Sequence, residues 1–364
     1  MTGKASRGKR GGFTLVELLV SMGIMVLLLL VLVLITDATR RTWTYTTGKI
    51  EEFRDAREAF ESITRRLSEA TLNTYWDYDN DTSPTKYERQ SELRFISGSA
   101  TTLLTGVNGS NGSSIQTVTH ASFFQAPLGY TTSGSYANLQ SLLNTWGYYI
   151  QFDSDSQTRP VFMNTTPNSP ALRYRFRLME LMEPSDSLTL YSYTNGKTVY
   201  SGTNSYTGTN WFTVPLNEVA LPARVLAENV VALVLLPKLT PQDQTAGGNT
   251  YTDASLAPTY LYDSTGTNMT TTTDPNLDPV NQLPPVVQVT MVAVDEASYN
   301  RYQTTQSGTT MPVLYSTGLF TQSGSYAADL QTLQTNLTTE KVNYRVFTSN
   351  VSIKAAKWSR AQTK

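Results

Sequence analysis

Residues 13 to 35 form an apolar run of 23 residues in which Glu17 is the only charged group. As a helix this run would measure about 35 Å at ~1.5 Å per residue, enough to cross a hydrocarbon core of ~30 Å. A segment apolar on every side has to be covered all round, by protein or by lipid. A secretory signal has a shorter apolar stretch followed by a small-x-small cleavage site. Here the run is too long, and Thr36-Asp37-Ala38 matches such a site only loosely. A plain signal anchor fits better, with Lys4, Arg7, Lys9 and Arg10 holding the near end in the cytoplasm. Arg40 and Arg41 on the far side weaken that asymmetry. The anchor reading leaves Glu17 unexplained, because a carboxylate at the rim of a bilayer costs on the order of a few kcal/mol.

The stretch GGFTLVELLVSMGIM, residues 11 to 25, resembles the processing site of type IV prepilins and type II secretion pseudopilins. The match covers the basic leader, Gly12, Phe13, Thr-Leu-x-Glu and the apolar helix. The resemblance implies a prepilin peptidase that cuts between Gly12 and Phe13 and methylates the new amino terminus at Phe13. Glu17 then becomes the fifth mature residue. It also implies a reason for the carboxylate. Cleavage creates an amine in the apolar zone, and an unpaired buried charge is heavily penalised. A neighbouring subunit displaced along a filament can set its amine against Glu17, so the charge favours assembly. The competing reading is a glutamate that snorkels to the interface.

Beyond the apolar run, Ile50, Phe53, Ala56, Phe60, Ile63, Leu67 and Ala70 recur at spacings of three and four among charged residues. That pattern predicts an amphipathic helix continuing the first, ending near residue 72, with Gly23 and Gly48 as weak points. Many type IV pilins have a proline inside this helix; Leu34 lies near that place here. After residue 73 the composition shifts to Thr, Ser, Asn, Gly and Tyr, with strand-like runs at LRFIS from 93, WGYYIQF from 146, LRYRFRLME from 172, SLTLYSY from 187, VVALVLLP from 230, PVVQVTMVAV from 285 and VNYRVFTSNVSI from 342. In LRYRFRLME, alternation puts Leu172, Tyr174, Phe176 and Leu178 on one face and predicts that Arg173, Arg175 and Arg177 form an exposed polar face. Polar loops are expected at 97–114, 194–210 and 240–282. The expected fold class is α+β: a long N-terminal transmembrane and amphipathic α-helix, then a β-rich, antiparallel, pilin-like domain. The expected divisions are a cleaved leader (1–12), a transmembrane helix (13–35), an amphipathic continuation (36–72) and a β-rich domain outside the cytoplasm (73–364). SGSYANLQSLLN (133–144) echoes SGSYAADLQTLQ (323–334), and each reads as a turn followed by a short helix. The flanks do not match, which favours convergence over duplication.

RVLAENVVALVLLP, LPPVVQVTMVAVDEASYNR and NYRVFTSNVSIKAAKWS look like the later blocks of J-type minor pseudopilins. Together with LRYRFRLMELMEPS they resemble more closely the C protein of the Verru_Chthon cassette, over most of the chain. The J-type likeness implies a minor subunit contacting sibling pseudopilins near a filament tip. Its implied location is the inner membrane, single-pass, with the C-terminal domain in the periplasm or on the cell surface. A module anchored by the same processing, recognising glycans or cargo without polymerising, is the alternative.

Other classes find little support. Net charge is −1, without the basic excess of a nucleic-acid binder. There is no cysteine and one histidine, so thiolate chemistry and His-based relays lack material. His120 lies in a probable strand and reads as structural. Asp295 and Glu296 read as a helix N-cap and first turn rather than a catalytic carboxylate pair. A non-enzymatic protein with no cofactor is expected, with calcium as a possible exception. DYDNDTSPTKYE places Asp77, Asp79, Asp81, Ser83, Thr85 and Glu88 at positions 1, 3, 5, 7, 9 and 12 of a calcium-loop pattern. Thr82 in place of the glycine, and Pro84, argue instead for a solvated acidic loop.

Overall fold

The computed structural model describes residues 14–79, 82–109, 112–156, 159–165, 169–190, 209–217, 223–245, 248, 250–266, 274–305, 311–312 and 318–359. The chain divides into two compact units, Met1–Glu51 and Glu52–Lys364. Helix α1 (Leu15–Ser68) supplies the helical part of the first and opens the second. In the first unit the apolar side chains from Leu15 to Ile35 are exposed, and the stretch Leu15–Trp43 is long and apolar enough to cross a membrane. Phe13, Gly12 and the rest of the leader lie outside the described residues.

In the second unit α1 buries the apolar stripe expected from its spacing. Ala56, Phe60, Ile63 and Leu67 are all buried, joined by Ala59 one position off the stripe. Each large side chain there contributes about 1.5–3 kcal/mol of burial. The stripe packs in one core with strands β8 (Val230–Lys238), β10 (Val286–Val294) and β11 (Tyr344–Ser352), which form an antiparallel sheet in the order β11-β10-β8. A larger antiparallel sheet runs β7-β6-β5-β4-β3-β9. Its strands are β3 (Ile96–Ser99), β4 (Gln116–Pro127), β5 (Leu143–Ser154), β6 (Tyr174–Glu183), β7 (Ala223–Glu228) and β9 (Tyr262–Asp263). A separate hairpin joins β1 (Tyr75–Tyr78) to β2 (Tyr87–Gln90). Helices α2 (Ala100–Leu103), α3 (Phe162–Thr165), α4 (Asn210–Asn217), α5 (Pro241–Thr245), α6 (Glu296–Thr305) and α7 (Tyr326–Thr339) fill the connections. The α+β architecture with a long N-terminal helix is therefore present.

The two sheets are tied by a fault in β4. Its pairing with β5 slips between Val118 and Ser122, and Thr119 takes a left-handed backbone (φ 57°). The freed side chains reach the outer edge of β8. Leu233 N–H donates to Thr119 Oγ1 (3.0 Å), and Leu235 N–H donates to His120 Nδ1 (3.1 Å). His120 Nε2 lies 2.9 Å from the Phe320 carbonyl. Nδ1 therefore accepts and Nε2 carries the proton, so the imidazole is neutral. Burial, at 2% exposure, pushes its pKa down to about 4. The structural role read from the sequence is the one these contacts describe.

On the other face of the larger sheet, Phe123 lies flat on Phe212 (ring centroids 3.9 Å, 7° between planes) and against Gly147 of β5. A Cβ at residue 147 would stand 2.2 Å from the Phe123 ring, so this aromatic stack requires glycine there.

Three expectations differ from the structure. Arg175 and Arg177 are buried rather than exposed, and only Arg173 keeps an exposed side chain. Residues 133–144 form a short 3-10 turn (Gly134–Tyr136) and then enter β5 at Leu143, with no helix following the turn. The counterpart at 323–334 does give a helix, α7, with Leu333 fully buried. Of SLTLYSY, residues 187–190 are not strand and 191–193 lie outside the described residues, as does most of the 194–210 loop.

Candidate functional site

The N-terminal end of α1 shows how Glu17 is held in a single chain. Thr14 precedes the helix, and its N–H and hydroxyl both donate to Glu17 Oε2 at 3.0 Å. Glu17 N–H points back to Thr14 Oγ1 at 3.4 Å. This is a capping box: the first residue and the third helical residue satisfy each other's free groups. The carboxylate also sits at the positive end of the helix dipole. The sequence carries this cap as Thr14-x-x-Glu17 before an apolar run, alongside the charge-pairing role that Glu17's position implies. Further along, Asp37 and Arg41 pair at 2.9 Å, and Trp43 is exposed where the apolar stretch ends. An amphipathic ring at that position suits the membrane–water interface. The residues implicated in processing, Gly12 and Phe13, lie outside the described residues.

The acidic loop between β1 and β2 is a hydrogen-bonded turn. Asp77 and Glu88 face each other across the hairpin ladder. Asp79 receives the Thr85 N–H (2.8 Å), the Lys86 N–H (3.2 Å) and the Thr85 hydroxyl. Lys86 pairs with Glu88 at 2.5 Å. Tyr78 and Tyr87 stack at 4.5 Å with their hydroxyls bonded at 2.8 Å. Asp81 lies outside the described residues. Among the described residues no group of three or more His, Cys, Asp or Glu side chains stands together as a metal site.

A third polar region lies within the second unit. Arg175 is paired with Glu296 and Glu228, Arg177 with Glu228, and Arg173 with Glu296 at 2.7 Å. Glu296 opens α6 where the sequence placed a helix start, with Asp295 Oδ2 receiving the Ser298 N–H at 3.4 Å. Asn229, in a left-handed conformation (φ 59°), donates its amide to Glu296 at 2.7 Å. Arg173, Arg175, Asn229 and Glu296, with Asp55, Glu58 and Ser62 of α1 and Val225–Glu228 of β7, line a cleft of about 660 Å³. The arginines here are committed to ion pairs with Glu228 and Glu296.

A family model described as the prokaryotic N-terminal methylation motif matches residues 7–33. Searches of curated proteins and of solved structures return no match to the chain. The motif supports a prepilin-like protein of the type IV pilin and pseudopilin kind. Proteins with this motif are structural subunits rather than enzymes, and the motif implies processing by a prepilin peptidase and pilin-like assembly. Among the described residues one helix, near the N-terminus, is long and apolar enough to cross a membrane, which is compatible with a single-pass membrane anchor.

Proposed function

We propose that the chain is a minor-pseudopilin-like structural subunit, built through its N-terminal helix into a type II secretion-like pseudopilus or a type IV pilus-like filament. The observation that carries this reading is the methylation motif with Glu17 four residues after Phe13, at the start of an exposed apolar helix. Its finer assignment to J-type subunits, or to the Verru_Chthon cassette C proteins, rests on the strand blocks around β7–β8, β10 and β11. The basic leader favours a cytoplasmic N-terminus and a β-rich unit outside the cytoplasm. Its partners are then the prepilin peptidase and sibling pseudopilins in the inner membrane.

Processing is directly testable. Intact-mass analysis of the membrane form should give a chain that begins at methylated Phe13. A chain starting at Met1, in a host with active prepilin peptidase, would overturn the assignment. Co-purification of the processed chain with sibling subunits encoded beside it should then separate a filament subunit from a solitary anchor.

One observation favours a second reading, a membrane-anchored extracytoplasmic module for glycan or cargo that never polymerises. Thr14 satisfies Glu17 within one chain, so the carboxylate has a local role that needs no neighbour. Weak calcium binding at Asp77–Glu88 is a separate proposal, supported by ligand spacing alone. Calorimetry should show calcium-dependent heat that disappears in Asp79→Ala. No heat, with an unchanged melting temperature in millimolar calcium, would leave the loop as the hydrogen-bonded turn described above.

A further inference from the structure

Strand β7 is the terminal strand of the six-stranded sheet, hydrogen-bonded on one side to β6. Five consecutive residues, Val225 to Asn229, line the cleft of about 660 Å³ on its other side. Alternation of side chains breaks at Leu226, where the β6–β7 register slips, and residues of both faces border the cleft there. Among the described residues, no backbone hydrogen bond joins that edge at Val225–Glu228 to another element. An open edge is a row of unpaired donors and acceptors, a template for another strand. The facing wall is α1, through Asp55, Glu58, Ala59 and Ser62.

Two further features define what fits. Asn229 is 6% exposed and lines the cleft, and among the described residues its Oδ1 has no hydrogen-bond partner, while its amide nitrogen is held by Glu296. A buried acceptor left unpaired is costly, and a donor entering the cleft would recover that loss. The charges also select. Glu228 and Glu296 are occupied by Arg173, Arg175 and Arg177. Among the described residues, Asp55 and Glu58 pair with Arg54, at 3.6 and 3.8 Å and mostly exposed. Exposed pairs of that kind contribute little, so an incoming cation can displace Arg54 readily.

We propose that this cleft takes an extended segment of a partner polypeptide as a seventh strand beside β7, with a lysine or arginine of that segment meeting Asp55 and Glu58. Backbone pairing supplies affinity, and the acidic wall of α1 selects basic over acidic segments. Leu226, the extra residue where the β6–β7 register slips, interrupts the edge, and Asn229 is already bonded to Phe176 and Val294, so the added strand is short and confined to Val225–Glu228. This inference is independent of the prepilin reading, since it uses only residues of the second unit.

The test uses the full chain in detergent micelles and a fluorescent, end-blocked pentapeptide, Thr-Lys-Val-Lys-Thr, followed by anisotropy. Saturable binding is expected. It should weaken at least about tenfold when both lysines are replaced by glutamate, and by a similar factor when alternate peptide amides are N-methylated, since each lost hydrogen bond is worth about 1 kcal/mol. The double variant Asp55→Asn, Glu58→Gln, altered only at exposed side chains, should bind the lysine peptide about fivefold more weakly with an unchanged melting temperature. Absence of binding, or equal binding of the glutamate peptide, would overturn the proposal. So would N-methylation without effect, or blocked lysine amide competing as well as the peptide, because either result would make this a simple cation site rather than a strand site.

Discussion

Glu17→Leu is expected to leave membrane insertion intact and to reduce crosslinking to sibling subunits at least tenfold. Insertion should be as good as or better than wild type, because the substitution removes the one charge from the apolar run. The β-rich unit should keep its melting temperature, since its core residues lie beyond Glu52. Loss of the carboxylate leaves the amine of the adjacent subunit without a counter-charge. Breaking a buried pair in that way costs about 3–5 kcal/mol, and ~1.4 kcal/mol already gives a tenfold change in equilibrium. The capping box supplies the controls. Glu17→Gln keeps an acceptor for Thr14 but loses the charge, whereas Thr14→Val removes the cap, at about 1 kcal/mol, and keeps the charge. If charge pairing drives assembly, Glu17→Gln fails like Glu17→Leu and Thr14→Val assembles. If Glu17→Gln crosslinks like wild type while Glu17→Leu and Thr14→Val both fall, the residue acts as a helix cap. Wild-type crosslinking in all three variants would show that Glu17 does not drive assembly, and no crosslinking even in the wild type would favour the solitary anchored module.

Local pattern carried the elements whose burial is set by one neighbour. The α1 stripe from Ala56 to Leu67 faces a single core and shows the 3.6-residue period. Strands β8 and β10 are continuous β-branched and aliphatic runs because both lie in that core. Strand β7 was not legible: ARVLAE has an irregular burial pattern, and its place at the sheet's end comes from Glu228 lying opposite Arg177. The arginines of β6 misled for the same reason. Alternation is a two-face argument, and their partners Glu228 and Glu296 come from elsewhere in the chain. The twin SGSYA segments diverge through different side-chain anchors. Asn144 is tied to Tyr130 by two hydrogen bonds and to the Glu183 carbonyl, which draws residues 143 onward into β5. In the second copy Asp329 instead receives the Phe320 N–H from within α7, and the helix continues. At the N-terminus the processing motif was legible because a peptidase reads sequence, while the local cap at Thr14 was hidden behind the more familiar role of the glutamate.

Acidification should weaken the joint between the two sheets through His120. The unfolded chain takes up a proton on this residue near pH 6.5, and the folded chain does so only near pH 4. Between these values the unfolded state binds more protons, so stability falls as pH falls. The contribution is fully present above pH 6.5, is lost progressively toward pH 4, and changes no further below that. At ~1.36 kcal/mol per unit the loss reaches about 3 kcal/mol. The cause is geometric. Protonation of Nδ1 turns the acceptor of the Leu235 N–H into a second donor, in a site closed by Tyr260 at 4.4 Å and by the Phe320 carbonyl. Denaturant unfolding of the detergent-solubilised chain, followed through the buried Trp146 and Trp211, would measure it. Carboxylates also titrate toward the acid end, so the informative quantity is the difference between wild type and His120→Gln. The variant should be less stable at pH 7.5, because glutamine cannot accept from Leu235 and donate to Phe320 with the same geometry. Between pH 7 and 5 its stability should fall less steeply than that of the wild type. Parallel slopes would show that His120 does not change its protonation on unfolding, and that the acid sensitivity of the fold lies with its buried carboxylates.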